Sequence, residues 1–274
     1  MCKLLQVTRS AYLRWIKHPY SERTLENIEL AKVIRTIHDE HPEKGYRSIN
    51  NTLNREQDIH VNDKRVLRIC RHEGIQSTIK HSANSITKRA NQPYYLAKNI
   101  LDSDFTADAP NQKWLTDVTE FKYFVRPEVK KLYLSAILDL YDRRIVSYVV
   151  QDTNDLNLVF DTFDQAVAQE PDAHPLFHSD RGFQYTHVNF YKKIVKAEMT
   201  QSMSRVGKCI DNGPMEGFWG ILKREQYYGK KFTSRDDLVE RIDSYIDYYN
   251  NGRYQRKLHI LTPMEYHNQY YEAA

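Results

Sequence analysis

Three acidic residues in separate segments constrain this chain more than any other feature of its sequence. Asp117 lies inside residues 114–119 (WLTDVT), a stretch that predicts a β-strand. Asp180 closes a segment that begins with the apolar run 175–177, and Glu216 stands near the start of a segment with helical periodicity. A fold that sets the two predicted strands side by side and lays the helix next to them would bring the three carboxylates together.

Carboxylates that converge in this way need cations. Two of them held within about 4 Å would repel by roughly 4 kcal/mol at an effective dielectric constant near 20. All-oxygen ligation with room for water favours Mg²⁺ or Mn²⁺. The three residues therefore predict a site with two divalent metal ions, of the kind that transfers phosphoryl groups on DNA.

Each of these residues also has a local structural interpretation. If Pro214 is the first helical residue, Glu216 is the third, where a carboxylate interacts favourably with the helix dipole and can cap a backbone N–H. Asp180 and Gly182 could belong to a simple turn after a strand. Acidic residues number 36 of 274, so the 35 residues between Asp180 and Glu216 are a weak motif by themselves.

Longer blocks of sequence resemble the motifs of DDE transposases. The resemblance is carried by residues 114–119 (WLTDVT), 178–184 (HSDRGFQ), 202–204 (SMS) and 211–219 (DNGPMEGFW), with Lys223 seven residues past Glu216. More narrowly, the chain resembles the second-frame (OrfB) product of the bacterial insertion-sequence family numbered three, whose members are relatives of retroviral integrases. Residues 45–49, 248–250 and 261–263 extend the match over nearly the whole chain.

The resemblance implies a fold, an activity and partners. It implies an RNase H-like catalytic core in which Asp117, Asp180 and Glu216 are the catalytic residues and hold two Mg²⁺ or Mn²⁺ ions. The expected reaction is cleavage at insertion-sequence ends followed by strand transfer into target DNA. Expected partners are double-stranded DNA (terminal inverted repeats and target), further copies of the chain, and a first-frame (OrfA) protein, separate or fused. Two alternatives stay open: a non-catalytic DNA-binding protein derived from such an element, and an RNase H-like nuclease.

Composition adds only mild constraints. The 40 Lys and Arg residues against 36 Asp and Glu give a formal charge of +4, too small to indicate nucleic-acid binding by itself. The three cysteines show no CxxC spacing, which fits a reducing compartment. Because no apolar run approaches the 18 or so residues that span a bilayer, we expect a cytoplasmic, nucleoid-associated protein without a membrane partner.

The first part of the chain predicts a small all-α domain. After a helical arm at 1–24, residues 25–76 predict three helices of helix-turn-helix type, the last beginning after Asn62 as N-cap. The third helix carries basic residues on one stripe, an arrangement suited to DNA phosphates, although a solvated helical face has the same pattern. His38 and His41 lack paired cysteines, so no zinc site is predicted. The predicted DNA contacts are Lys64, Arg65, Arg68, Arg71, Lys80, Lys88, Arg89, Arg181, Gln184 and Lys223.

The second part predicts an α/β domain. Residues 77–111 read as a linker, with 99–101 and Phe105 packing at its end, and 112–274 as the catalytic domain. Strands at 114–124, 132–140 and 145–150 are joined by tight turns and so should be antiparallel. Helices and strands then alternate: a helix at 156–169, a strand at 176–179, a helix at 185–195, a strand at 199–202, and helices from Pro214 and after the N-cap Ser234. This order is that of an RNase H-like mixed sheet.

Four neighbouring features receive structural rather than catalytic interpretations. Asp139 and Asp142 fit a strand-to-turn exit and stay outside the catalytic set. His178 is expected to brace the end of its strand, because water bound to a metal needs no separate base. The tyrosines near the end of the chain are expected to pack between helices, with base stacking as the alternative.

Overall fold

The computed structural model describes residues 2, 7–17, 20–79, 95–205 and 209–273. The chain divides into two compact units, Met1–Ile79 and Lys80–Ala274. Each unit has its own hydrophobic core, and each is described by itself. In the described residues, no helix is both long enough and apolar enough to cross a bilayer.

The first unit is all-α, as predicted. Its helices are α1 (Arg9–Lys17), α2 (Glu22–Glu40), α3 (Tyr46–Glu56) and α4 (Asp63–His72). Asn62 caps α4 by accepting the Lys64 N–H at 2.8 Å, which confirms the predicted N-cap. The apolar stripes of α2, α3 and α4 meet in one core around Ile34, Ile49 and Leu53, all completely buried.

The second unit is built on a mixed five-stranded sheet. The strands are β1 (Lys113–Val125), β2 (Glu128–Asp139), β3 (Ile145–Gln151), β4 (Leu176–Ser179) and β5 (Thr200–Met203). Their spatial order is β3-β2-β1-β4-β5, with β1, β2 and β3 antiparallel and with β4 and β5 parallel to β1. This sheet confirms the predicted RNase H-like arrangement of three antiparallel strands followed by alternating helices and strands.

Helices cover both faces of this sheet. They are α5 (Leu156–Gln169), α6 (Val188–Lys196), α7 (Gly213–Leu222), α8 (Arg235–Asn251) and α9 (Pro263–Ala273), and a π-helical turn, Lys223–Tyr227, continues α7. On one face α7 and α8 pack against the β1–β2 hairpin in a core that includes Leu115 and Phe121. On the other face α5 and α6 pack around Phe163, Phe177 and Phe190. Burying one such phenylalanine stabilises the fold by about 1.5–3 kcal/mol.

One predicted helix starts at the wrong residue and one helix was not predicted, and both differences have local causes. The helix expected from Tyr185 begins at Val188, because the His187 side chain accepts the Asn189 N–H and caps it there. The helix α9 was not predicted. Thr262 and Glu265 form a reciprocal capping box, with the Thr262 N–H donating to the Glu265 carboxylate at 2.8 Å and the Glu265 N–H to the Thr262 hydroxyl at 3.1 Å.

The later part of the predicted linker packs onto the sheet. Ala97 and Leu101 are buried in the two cores of the second unit. The Ser202 hydroxyl on β5 accepts the backbone N–H groups of Ile100 at 2.9 Å and Leu101 at 3.1 Å. Residues 95–111 therefore belong structurally to the second unit. Of the predicted linker, residues 80–94 lie outside the described residues.

Candidate active site

Parallel pairing of β1 and β4 places Asp117 next to Asp180. Leu115 on β1 is paired with His178 on β4. Asp117 and Asp180 each lie two residues further along, so both point to the same face of the sheet. Adjacent strands lie about 4.8 Å apart, which puts the two carboxylates at the point where β4 ends and β1 continues.

The two carboxylates repel each other in a partly buried setting. The pKa of Asp117 is raised from 3.8 to about 7, first by burial, then by the charge of Asp180, with a smaller contribution from Glu216. Two donors oppose this effect: the Val118 N–H at 2.8 Å and the Trp219 indole N–H at 3.0 Å. Burial also raises the pKa of Asp180. Together the pair is an uncompensated negative site that would attract a cation.

The loop after β4 holds Asp180 through backbone contact. The Gly182 N–H donates to Asp180 Oδ1 at 2.8 Å. A Cβ at position 182 would lie 2.9 Å from that same oxygen and 3.2 Å from Gln184 Oε1. An alanine at this position would therefore have to displace the Asp180 carboxylate.

The start of α7 is fixed to β1 beside the two aspartates. Asn212 donates from Nδ2 to the backbone oxygen of Thr116 at 3.2 Å. The buried Asp211 carboxylate receives the Arg205 guanidinium at 2.8 Å and the Asn99 amide at 3.1 Å. Glu216 lies one turn after Asn212 on an exposed position of the helix.

The donor set matches a hard divalent cation. Three carboxylates supply only oxygen atoms, and Mg²⁺ and Mn²⁺ prefer oxygen ligands together with water. Glu216 is close enough for its charge to act on Asp117. Among the residues that the structure describes, no three His, Cys, Asp or Glu side chains form a ready metal-binding group, so the Glu216 carboxylate does not complete a cluster with Asp117 and Asp180 here.

Lys223 lies beside the carboxylates, on the same side of the sheet. Its Nζ is 5.1 Å from the centre of the Phe121 ring, a cation–π contact. Burial lowers the pKa of Lys223, and attraction to Asp117 and Glu120 opposes that shift. The ammonium group is thus held within electrostatic reach of Asp117 in a partly buried position.

The three neighbouring polar residues have structural roles. His178 is completely buried between the hydroxyls of Ser202 (2.9 Å) and Ser204 (3.0 Å), which confirms that it braces the strand end. Burial lowers its pKa to about 4, so it is neutral at pH 7. Asp139 accepts the N–H groups of Asn111 and Tyr141, and Asp142 binds His267 at 2.7 Å. Both aspartates lie outside the site.

The predicted DNA contacts fall into different environments. On α4, Lys64, Arg68 and Arg71 are exposed, whereas Arg65 binds Glu26 at 2.9 Å and Asn27 at 2.8 Å on α2. The Arg65 guanidinium is therefore engaged within its own unit, and its contact with DNA stays a prediction. Lys80, Lys88 and Arg89 lie outside the described residues.

Two of the predicted DNA contacts follow Asp180 in the loop. Gln184 is buried and donates to Asn154, and its contact with DNA stays a prediction. Arg181 is partly buried and donates from Nε to the backbone oxygen of Ser204 at 2.8 Å, so its guanidinium supports the loop. Alternation along the chain cannot reveal such contacts, because they form between segments far apart in sequence.

Two aromatic residues of the site were missed by sequence reasoning. Trp219 donates to Asp117, and its position three residues after Glu216, on the same side of a helix, was the available signal. The Tyr185 hydroxyl lies 3.2 Å from Thr116 Oγ1, and burial raises its pKa, as do the charges of Asp117 and Asp180. Nothing in its sequence context identified Tyr185.

Fold and site together define the class of protein: an RNase H-like core of the integrase type, preceded by a helical domain. Residues 107–209 and 216–271 match two families that are each described as integrase core domain, and residues 24–83 match an HTH-like domain. The intasome of simian T-cell lymphotropic virus shares this fold, with a TM-score of 0.50 at 18% identity over 86% of this chain and 73% of that chain.

Sequence relatives narrow the class. InsK of insertion sequence element IS150 from Escherichia coli (strain K12) is 37% identical over 88% of this chain and 83% of its own length. A transposase-like protein of Haemophilus influenzae is 38% identical over 80% of this chain and 98% of its own length. The transposase InsF of insertion sequence IS3A from E. coli is 26% identical over 98% of this chain and 93% of its own length. The chain belongs to the insertion-sequence transposases that carry an integrase core.

Proposed function

We propose that this transposase cuts DNA at the ends of its element and joins them to target DNA, with Asp117, Asp180 and Glu216 as the catalytic residues. The observation that carries the proposal is the pairing of β1 with β4, which sets two partly buried carboxylates side by side. A buried pair of like charges is costly, and it persists where it has a task such as binding cations.

The three carboxylates would bind two Mg²⁺ or Mn²⁺ ions. Asp117 and Asp180 would hold one ion, and Asp117 with Glu216 the other. The ions would supply activation of the attacking oxygen and stabilisation of the leaving oxygen. Because Glu216 is exposed and does not yet complete a cluster, we expect metal and DNA to draw its carboxylate towards the two aspartates.

The chain's own residues position the phosphodiester. Lys223 holds a positive charge on the same side of the sheet as Asp117, where a phosphate next to the carboxylates would contact it. Gly182 keeps the loop tight against Asp180 and so leaves the carboxylate no freedom to turn away. Positioning of this kind is a large part of catalysis in phosphoryl transfer, since no covalent enzyme intermediate is required.

Affinity for DNA comes in part from the first unit. We propose that the exposed Lys64, Arg68 and Arg71 on α4 contact phosphates, and that Lys80, Lys88 and Arg89 continue this contact. The expected partners are the terminal inverted repeats and target DNA, a second copy of the chain to bridge two ends, and an OrfA protein or fusion. Such a protein would work in the bacterial cytoplasm with the nucleoid.

The test uses purified protein, Mg²⁺, and a duplex that carries the flanking end sequence of its element. Wild-type protein should give nicked and then joined products. Asp117→Asn, Asp180→Asn and Glu216→Gln should give neither, with DNA binding preserved, whereas the exposed Asp172→Asn should behave as wild type.

The outcomes separate the alternatives. Joined products from any of the three variants would refute the assignment of that residue. Nicking without joining, whatever the end sequence, would indicate an RNase H-like nuclease. Binding without either product by wild-type protein would indicate a non-catalytic DNA-binding protein.

A further inference from the structure

The Trp219 indole N–H donates to one of the carboxylates of the candidate site. Its ring is only 6% exposed and packs against Phe218, with 5.0 Å between ring centres. A buried indole N–H needs an acceptor, and here the acceptor is the carboxylate of Asp117 at 3.0 Å. The same carboxylate takes the Val118 N–H on its other oxygen at 2.8 Å. Each oxygen thus keeps one lone pair for a further ligand.

The helix periodicity links this contact to Glu216. Asn212 is the residue directly before α7, and Glu216 and Trp219 are three residues apart within the helix and so lie on neighbouring positions of its surface. Asn212 binds the backbone of Thr116 and Trp219 binds the side chain of Asp117, which is the next residue of β1. The two hydrogen bonds therefore attach the helix to consecutive residues of the strand, on either side of Glu216.

We propose that Trp219 is a positioning residue of the metal site: its N–H orients the Asp117 carboxylate and fixes Glu216 in register with it. This inference rests on the proposed function, because it takes Asp117 and Glu216 as metal ligands. Phenylalanine at 219 would fill most of the same space but could not donate the hydrogen bond. Groups that orient metal ligands typically contribute 10–100-fold to metal affinity.

The experiment measures metal binding without the reaction. Mn²⁺ is titrated into metal-free protein and the free ion is counted by electron paramagnetic resonance. Trp219→Phe should bind Mn²⁺ about 10–100-fold more weakly than wild type. Trp219→His, whose neutral ring carries an N–H, should recover part of the loss. The matched control is Trp114→Phe: Trp114 is also buried and donates to a carboxylate, that of Asp139 at 3.3 Å, but away from the site.

A second measurement is made on the wild-type protein and does not depend on whether Trp219→Phe folds. The chain has three tryptophans, so ¹⁵N-labelled wild type gives three indole N–H signals. Trp15→Phe and Trp114→Phe each remove one signal, and the signal that is present in both variants belongs to Trp219. This signal should shift when Mg²⁺ is added to wild type, whereas the other two should not.

Each result has one meaning for the proposal. Equal Mn²⁺ affinity of wild type and folded Trp219→Phe, or a Trp219 indole signal that ignores Mg²⁺ in a protein that binds it, overturns the role of Trp219 and leaves the metal site standing. A folded wild-type protein that binds no Mn²⁺ at all overturns the proposed metal site and this inference with it.

Discussion

Replacing Asp117 by asparagine should stabilise the metal-free protein while it destroys the activity. The Asp117 carboxyl has its pKa raised from 3.8 to about 7, which corresponds to an upper limit of ~4 kcal/mol of folding free energy lost when it ionises. Attraction to Lys223 and partial access to water reduce this penalty. Asparagine has one side-chain oxygen and keeps only one of the two hydrogen bonds that Asp117 accepts from the Val118 N–H and the Trp219 N–H, which lowers the gain further. We therefore expect Asp117→Asn to gain about 1–3 kcal/mol at pH 8.

The pH dependence follows from the sign of the shift. Between pH 4 and 7 the folded protein binds more protons at this site than the unfolded chain does, so stability falls as the pH rises. Below pH 4 the carboxyl is protonated in both states, and the penalty disappears. The advantage of Asp117→Asn over wild type should therefore be near zero at pH 4 and complete above pH 7.

The assay is thermal unfolding in a chelator, followed by circular dichroism. For a unit of this size, each kcal/mol moves the midpoint by about 2–4 °C. The exposed Asp172→Asn serves as control and should change stability by no more than roughly 0.5 kcal/mol. Adding Mg²⁺ at 100 times its dissociation constant should stabilise wild type alone by about 2.7 kcal/mol. Asp117→Asn should then be no more stable than wild type, or less stable.

An Asp117→Asn protein that is less stable than wild type at pH 8 in chelator would refute this reasoning. So would a gain that is the same at pH 4 and pH 8, because repulsion between ionised carboxylates could then not be its source.

Three further predictions concern other parts of the molecule. Changing Lys64, Arg68 and Arg71 together to glutamine should lower the slope of log affinity against log salt by about 2.7, measured by fluorescence anisotropy with duplex DNA; an unchanged slope would remove α4 from the DNA contact surface. Gly182→Ala should reduce the cleavage rate by about 10–100-fold with DNA binding preserved, because the added Cβ meets the Asp180 carboxylate at 2.9 Å; full activity in a cleavage time course would contradict this. His178→Ala should cost about 2–4 kcal/mol in urea unfolding, since it empties a buried site and removes one hydrogen-bond partner from each of two serine hydroxyls; an unshifted midpoint would show that the contact is dispensable.

The sequence by itself determined the features that depend on near neighbours. Asn62 and Ser234 each cap a helix through a backbone N–H two residues away, and both were predictable because the donor and the acceptor are close in sequence. The strands were readable from their apolar runs and from the turn residues between them, because both signals lie within a few residues of each strand. The capping box of Thr262 and Glu265 was equally local and could have revealed α9.

Only the tertiary structure decided which distant groups meet. The pairing of Leu115 with His178 sets Asp180 beside Asp117, and this register depends on packing across more than sixty residues of chain. Packing within the second unit also buries Gln184 and directs the Trp219 N–H to a carboxylate. In the first unit, the packing of α4 on α2 engages Arg65 with Glu26. Sequence pattern named the acidic residues, but the raised pKa of Asp117 arises from burial and from a second charge, and both exist only when the chain is folded.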